Sequence, residues 1–363
     1  MNVHVKGQIA DHIVQAIDSI TFNKDESVSD LTMQVHVGEF TRGYKSGDVD
    51  SIVFLSREDA PPIYLYVNVN VSDYVRPDKL NQVLGSLMEH FFARGIKLSF
   101  SFTDMVLKEL VEAYPELIDS MNTSPLVSIN YHLREPHPCE FGQRILDKNG
   151  KCTPFSQLDS DYVMDEIEKF ERYPITNLET FRFFDTTSCP VYDSSQTGGF
   201  SYVSDVFKRK PIFVGSNSEG LARQAHLEAI RRLGGIGYVS YHVGEADKEN
   251  PFSTTNALLD RPSDAGVVFE VGKDNVKFLK SQISAKIDYS RPLYVVVLVH
   301  GYNFYLETGE RWQLPNARLL SVEKQREFMS GFLGLVDVLA GDKDMQIINT
   351  DDIVEHAKRD GKK

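Results

Sequence analysis

The sequence has very little cysteine. Cys139, Cys152 and Cys189 are all that 363 residues contain. No two of them stand in a C-x-x-C spacing, which excludes a zinc ribbon and a dithiol redox motif. The odd count excludes a framework in which every cysteine pairs, and leaves room for one bridge. Long apolar runs are missing too, since none approaches the roughly 20 residues that cross a bilayer as a helix. No Lys/Arg run stands out, and the net charge is -13. An acidic chain without a basic patch is not built for nucleic acid or an anionic membrane surface. The opening Met1-Asn-Val-His-Val-Lys6 lacks the charged and apolar regions of a signal peptide, so a cytoplasmic location is expected. There is no internal repeat and no low-complexity segment.

What the chain does have is alternation. Hydrophobic content of 41% and charged content of 25% suit a globular core. From residue 63 onward, strand-like apolar runs alternate with helix-like stretches. Strands are expected at 63–71, 96–102, 126–131, 180–184, 211–214, 236–241, 293–299 and 345–348. Helices are expected at 79–94, 104–113, 161–172, 219–233, 276–285, 322–339 and 350–358. Thr103 and Thr350 are placed to cap two of them. Seven or eight β-then-α units imply parallel strands with right-handed crossovers, best closed into a barrel. The expected fold is therefore an α/β chain, a (β/α) barrel over residues 61–363. Residues 1–60 break the rhythm, with strand-like runs at 31–37 and 51–55, and read as an N-terminal extension.

Three of the expected strands deliver a histidine at the carboxyl end: His132, His242 and His300. In such barrels the loops after the strands converge on one face. The other residues arriving there are Asn70, Asp73, Asp104, Asp185 and Ser216. Imidazoles with a carboxylate are a common ligand set for zinc or a similar ion. Asp104 and Ser216 also suit plain helix caps. Two other motifs fail. Val296-Val-Leu-Val-His300-Gly301 resembles the oxyanion strand of an α/β-hydrolase, yet no G-x-S-x-G elbow exists. Gly215-Ser-Asn-Ser-Glu-Gly220 lacks the Lys-Ser/Thr of a P-loop.

The order of these features resembles the polysaccharide deacetylases, chitin-deacetylase-like carbohydrate esterases with a distorted (β/α) barrel of about seven parallel strands. Tyr66-Val-Asn-Val-Asn70-Val-Ser-Asp73-Tyr74 stands where that family has its acidic motif. Phe92-Ala-Arg-Gly95-Ile-Lys-Leu-Ser-Phe-Ser-Phe102 matches the next helix and strand. Asn130-Tyr-His132-Leu-Arg-Glu-Pro-His137-Pro138 matches the paired-histidine motif, Phe181-Arg182 a later strand, and Leu298-Val-His300 the late histidine motif. The resemblance implies a hydrolase that removes acetyl groups from a carbohydrate. It implies that Asp73, His132 and His137 hold a divalent metal, Zn²⁺ by preference. It makes His300 the general acid, with Arg182 orienting the catalytic carboxylate. Those roles suit the residues, because two imidazoles and a carboxylate leave coordination positions open and an imidazole titrates near neutral pH. Tyr74, His242 and Tyr302 are the candidates for substrate contact, and the expected partner is a carbohydrate.

The chain departs from the family pattern at specific points. The general-base aspartate is replaced by Asn70, and an amide cannot take a proton from water. The preceding acidic position is Ser72. The two motif histidines are one residue too far apart, in a loop restricted by Pro136 and Pro138. Glu135 is an alternative ligand, and Asp185, Glu245 or Asp247 an alternative base. A second reading follows, in which the barrel persists as a catalytically inactive carbohydrate-binding or structural module.

Overall fold

A computed structural model describes residues 61–133, 135–178, 188–216, 218–240, 263–286 and 291–360, with the strands at 253–255 and 258–260 and those of the N-terminal segment. The chain divides into two compact units. Met1–Pro62 and Ile287–Leu293 form the smaller one. It holds β1 (Asn2–Lys6), β2 (His12–Val14), β3 (Ser19–Lys24), β4 (Leu31–Val37), β5 (Phe40–Lys45) and β6 (Ser51–Leu55). These pair as two antiparallel three-stranded sheets, ordered β2-β1-β6 and β3-β4-β5. The strands expected at 31–37 and 51–55 are β4 and β6.

The larger unit begins with β7 (Ile63–Val71), α1 (Pro77–Ala93), β8 (Leu98–Phe102), α2 (Asp104–Ala113), α3 (Pro115–Thr123) and β9 (Val127–His132). A hairpin, β10 (Arg144–Leu146) and β11 (Cys152–Pro154), leads to α4 (Ser160–Phe170) and α5 (Gly199–Phe207). Then come β12 (Phe213–Ser216), α6 (Gly220–Arg232), β13 (Gly237–Ser240), β14 (Ser253–Thr255), β15 (Leu258–Asp260), β16 (Ala265–Val268) and α7 (Asn275–Lys286). The chain closes with β17 (Leu293–His300), α8 (Val322–Ala340), β18 (Met345–Ile348) and α9 (Thr350–Asp360). The strand expected at 180–184 lies outside the described residues.

The main sheet runs β14-β15-β13-β12-β9-β8-β7-β17-β16, with β18 also pairing β7. Seven parallel strands curl into an incomplete barrel with helices around it, a distorted (β/α) barrel. Its end strands β14 and β16 do not pair with each other among the described residues. Local chemistry sets the helix ends. Pro77 opens α1, where its missing N–H costs nothing. The Thr103, Asp159 and Ser321 side chains accept from the first-turn N–H groups of α2, α4 and α8.

Parallel strands covered on both faces normally read as unbroken apolar runs. Here β7, β8 and β9 alternate instead. Val69, Val71, Phe100, Phe102, Ile129 and Tyr131 share one face, and Phe102 and Tyr131 meet Phe207 and Phe200 of α5. The opposite face carries Asn68 and Asn70, then Ser99 and Ser101, then Ser128, Asn130 and His132. The register aligns them across the sheet, Asn68 with Ser99 and Ser128, and Asn70 with Ser101 and Asn130. All seven are buried. Part of this stripe has a structural use. Ser99 Oγ accepts from the Thr350 N–H at 3.2 Å, and Ser128 Oγ from the Asp351 N–H at 3.1 Å. Two strand hydroxyls thus satisfy the otherwise orphaned N–H groups that open α9.

Cys152 and Cys189 form a disulfide with a Cα–Cα distance of 5.5 Å, while Cys139 is free and buried. The bridge closes a loop across a sequence separation of 37 residues. Cross-linking a loop of that size removes entropy from the unfolded chain, so replacing both cysteines by serine is expected to cost about 2–4 kcal/mol. Urea unfolding of the variant and of reduced wild type measures this. A loss under about 1 kcal/mol, well below the usual range, argues that the bridge does not constrain the unfolded chain.

Candidate functional site

The carboxyl ends of β7 and β17 bring together most of the expected site. Asn70 ends the polar face of β7. The chain then leaves the strand through Ser72 and Asp73, and turns into α1 at Arg76. Asp73 is fully buried. Its Oδ1 accepts from the N–H groups of Val75 at 2.9 Å and Arg76 at 3.2 Å. Its Oδ2 accepts from the Tyr305 hydroxyl at 2.8 Å and from Arg76 Nη1 at 3.1 Å. Burial pushes the Asp73 carboxyl above its ordinary value, and the Tyr305 hydroxyl and Arg76 guanidinium pull the other way.

Arg76 also donates from Nη1 to the carbonyl of Trp312 at 3.0 Å and from Nη2 to that of Leu314. The guanidinium therefore ties the start of α1 to the loop at 312–314. The same loop is held from another side, because Gln313 Nε2 donates to Glu135 Oε2 at 2.9 Å. Above β17 three rings lie nearly parallel. His300 stacks on Tyr302 with centroids 5.1 Å apart, and Tyr302 on Trp312 at 6.3 Å. Tyr74 meets Trp312 edge-on at 5.5 Å. Tyr74, His300 and Tyr302 are half-buried.

The structure does not assemble the expected metal triad. His132 is buried on the polar face of β9, the next in the alternation Ser128, Asn130, His132. His137 goes the other way. The turn after β9 carries it to the helix side of the sheet, against Phe170 of α4 and His226 of α6. Its Nδ1 accepts from the Cys139 N–H at 3.2 Å, so the ring proton sits on Nε2. That Nε2 lies 3.2 Å from Glu171 Oε1. Neither ring nitrogen is left with a lone pair for an ion. Asp73 fits an ion no better, since four donors, one a cation, already surround its carboxylate. Among the described residues, no three His, Cys, Asp or Glu side chains are grouped as metal ligands.

Sequence reasoning missed the cluster around His137. Glu171 is fully buried behind α4. Its Oε1 lies 2.9 Å from His226 Nε2 as well, and its Oε2 accepts from the Phe200 N–H at 3.0 Å. Neither imidazole Nε2 is in line for a hydrogen bond with Oε1, so both are close polar contacts with the carboxylate. His226 Nδ1 meets the Tyr238 hydroxyl at 3.0 Å. Asp104 Oδ2 accepts from the Gly199 N–H at 2.8 Å. The buried Glu171 and the half-buried Asp104 thus face the first N–H groups of α5, where the helix favours negative charge. Burial pushes the Cys139 thiol well up, with Glu171 adding to it, so it stays protonated and unreactive. Arg182, Asp185, His242, Glu245 and Asp247 lie outside the described residues.

No family model matches the sequence, and no curated protein matches it. Solved structures do. A probable polysaccharide deacetylase from Pseudomonas aeruginosa PAO1 is 12% identical, with a TM-score of 0.48 over 84% of this chain and 93% of that one. A 4-alpha-glucanotransferase from Thermococcus litoralis is 12% identical, with a TM-score of 0.44 over 81% of this chain. A CE4 family pseudoenzyme from Bacillus anthracis is 11% identical, with a TM-score of 0.36, again over 81% of this chain. The match spans 40% of the glucanotransferase and 66% of the pseudoenzyme.

Proposed function

We propose that this barrel binds a carbohydrate without hydrolysing it. The observation that carries the reading is the state of Asp73. In the deacetylases that the motifs resemble, this position serves a metal ion. Here the Arg76 guanidinium lies against it at 3.1 Å and the Tyr305 hydroxyl fills the rest. An internal cation takes the place where an external one would act, and repels it. Asn70 adds to this, since an amide is no general base. The half-buried rings of His300 and Tyr302, backed by the buried Trp312, supply what a binder needs. Aromatic faces pack against the C–H face of a sugar ring, and nearby polar groups orient its hydroxyls. The Cys152–Cys189 bridge favours an oxidising compartment over the cytoplasm.

Calorimetric titration with neutral, N-acetylated and uronate oligosaccharides tests the reading. Binding is expected, unchanged by EDTA and with no release of acetate. Tyr302→Ala is expected to weaken it about tenfold, the worth of one aromatic contact near 1.4 kcal/mol. Stoichiometric uptake of a divalent ion, or acetate release abolished by EDTA, overturns the proposal in favour of a metal-dependent deacetylase.

A further inference from the structure

The polar face of the barrel is a hydrogen-bond relay with a fixed direction. It starts at Asn130, whose Oδ1 accepts from the Phe213 backbone N–H at 3.2 Å and from Thr350 Oγ1 at 3.0 Å. A backbone N–H can only donate, so it fixes which end of that amide is oxygen. The Asn130 nitrogen must then point onward, and Nδ2 donates to Asn68 Oδ1 at 3.1 Å. Ser101 Oγ donates to the same oxygen at 2.9 Å. Asn68 Nδ2 in turn donates to Asn70 Oδ1 at 2.8 Å. Every step is forced by the one before. The relay therefore ends in a donor, Asn70 Nδ2. That nitrogen has no partner, and the Asn70 side chain is fully buried. Two residues on, Ser72 Oγ is also buried and without a partner.

Leaving one buried polar group unpaired costs about 1–3 kcal/mol. Two such groups at the carboxyl end of one strand mark a place where an acceptor is missing. We infer that Asn70 Nδ2 and Ser72 Oγ form a subsite that reads a proton-free oxygen on the ligand, a carbonyl or carboxylate oxygen carried by the saccharide. This inference rests on the carbohydrate-binding reading and names the chemistry of that site. An aspartate at position 70 would still accept from Asn68, but its second oxygen would be an acceptor. The amide reverses the polarity of the relay's end, from one that takes a proton to one that offers one.

The test compares three tetrasaccharide probes by calorimetry on the full chain: N-acetylated glucosamine, free glucosamine and galacturonate. Wild type is expected to prefer an arm with a projecting oxygen over free glucosamine by about tenfold or more, the worth of one buried hydrogen bond. The N-acetylated and galacturonate arms show whether that oxygen is acyl or carboxylate. Ser72→Ala removes a hydroxyl that holds no partner, so its melting temperature is expected to stay at the wild-type value while the preference drops severalfold. Asn70→Asp is expected to abolish the preference, because acceptor then meets acceptor. If wild type binds the probes but both variants keep its selectivity, the donors serve an internal water and the inference falls alone. If wild type binds none of the probes, the carbohydrate-binding reading falls and the inference with it.

Discussion

Glu171→Ala is expected to cost about 3–5 kcal/mol of folding stability, the range for removing one partner of a buried charged pair. Glu171 is completely buried, and its two oxygens answer His137, His226 and the Phe200 N–H. Truncation takes the facing carboxylate from two buried imidazoles and the acceptor from the buried Phe200 N–H. Glu171→Gln keeps the shape and removes only the charge, so it separates packing from electrostatics. Burial alone would push this carboxyl up, but His226 and then His137 outweigh it and hold it well below its ordinary value of 4.5. A depressed carboxylate stabilises the fold fully above its unfolded value and loses that contribution as pH falls through the folded one. The stability gap between wild type and Glu171→Gln is therefore expected to be widest above about pH 5 and to narrow below about pH 4.5. Asp104 is held above its ordinary value by burial and in part by the Glu171 charge, so the comparison is made in an Asp104→Asn background, where the difference isolates Glu171. Urea unfolding from pH 3 to pH 7 checks it, and a gap that widens on acidification would sink the account.

Much of this barrel was legible in the sequence, for reasons that single elements show. Leu293–His300 is continuous, apolar and β-branched, and it is a strand from end to end. The helix expected at 79–94 runs over Pro77–Ala93 and buries Leu80, Val83, Leu84, Leu87, Met88 and Phe91 as its spacing requires. The helix α3 was not among the expected helices, although Pro115 suits its first turn. The polar stripe was legible and overlooked: N-V-N in β7, S-F-S-F in β8 and S-I-N-Y-H in β9 each alternate with period two.

The site was harder to read, because contacts across the fold leave no local signature. His132 and His137 were paired through the family resemblance, one residue off its spacing. Strand alternation sends one to the polar face, and the turn through Pro136 sends the other to the helix layer. Glu171 and His226 carried no signal at all, since a lone glutamate behind a helix and a lone histidine within one are unremarkable in sequence. Arg76 was hidden for another reason. Only the fold reveals that a residue three beyond Asp73 reaches the carbonyls of Trp312 and Leu314.

That arginine is the source of the second large effect. Arg76→Met is expected to destabilise the barrel by about 3–5 kcal/mol, because Asp73 is left charged and buried. Asp73→Asn is expected to cost a similar amount by stranding the guanidinium. The double variant should cost less than the sum of the two, with a coupling of at least about 1 kcal/mol, since neither charge is then left alone. Arg76→Lys should not rescue the single loss. One ammonium cannot reproduce the planar fork that meets Asp73, Trp312 and Leu314 together. The same substitutions loosen the loop that carries Trp312, so oligosaccharide affinity should fall in Arg76→Met even at temperatures where the barrel stays folded. Thermal and urea unfolding supply the energies, and titration supplies the affinity. Additive losses in the double variant would mean that the guanidinium and the carboxylate act independently.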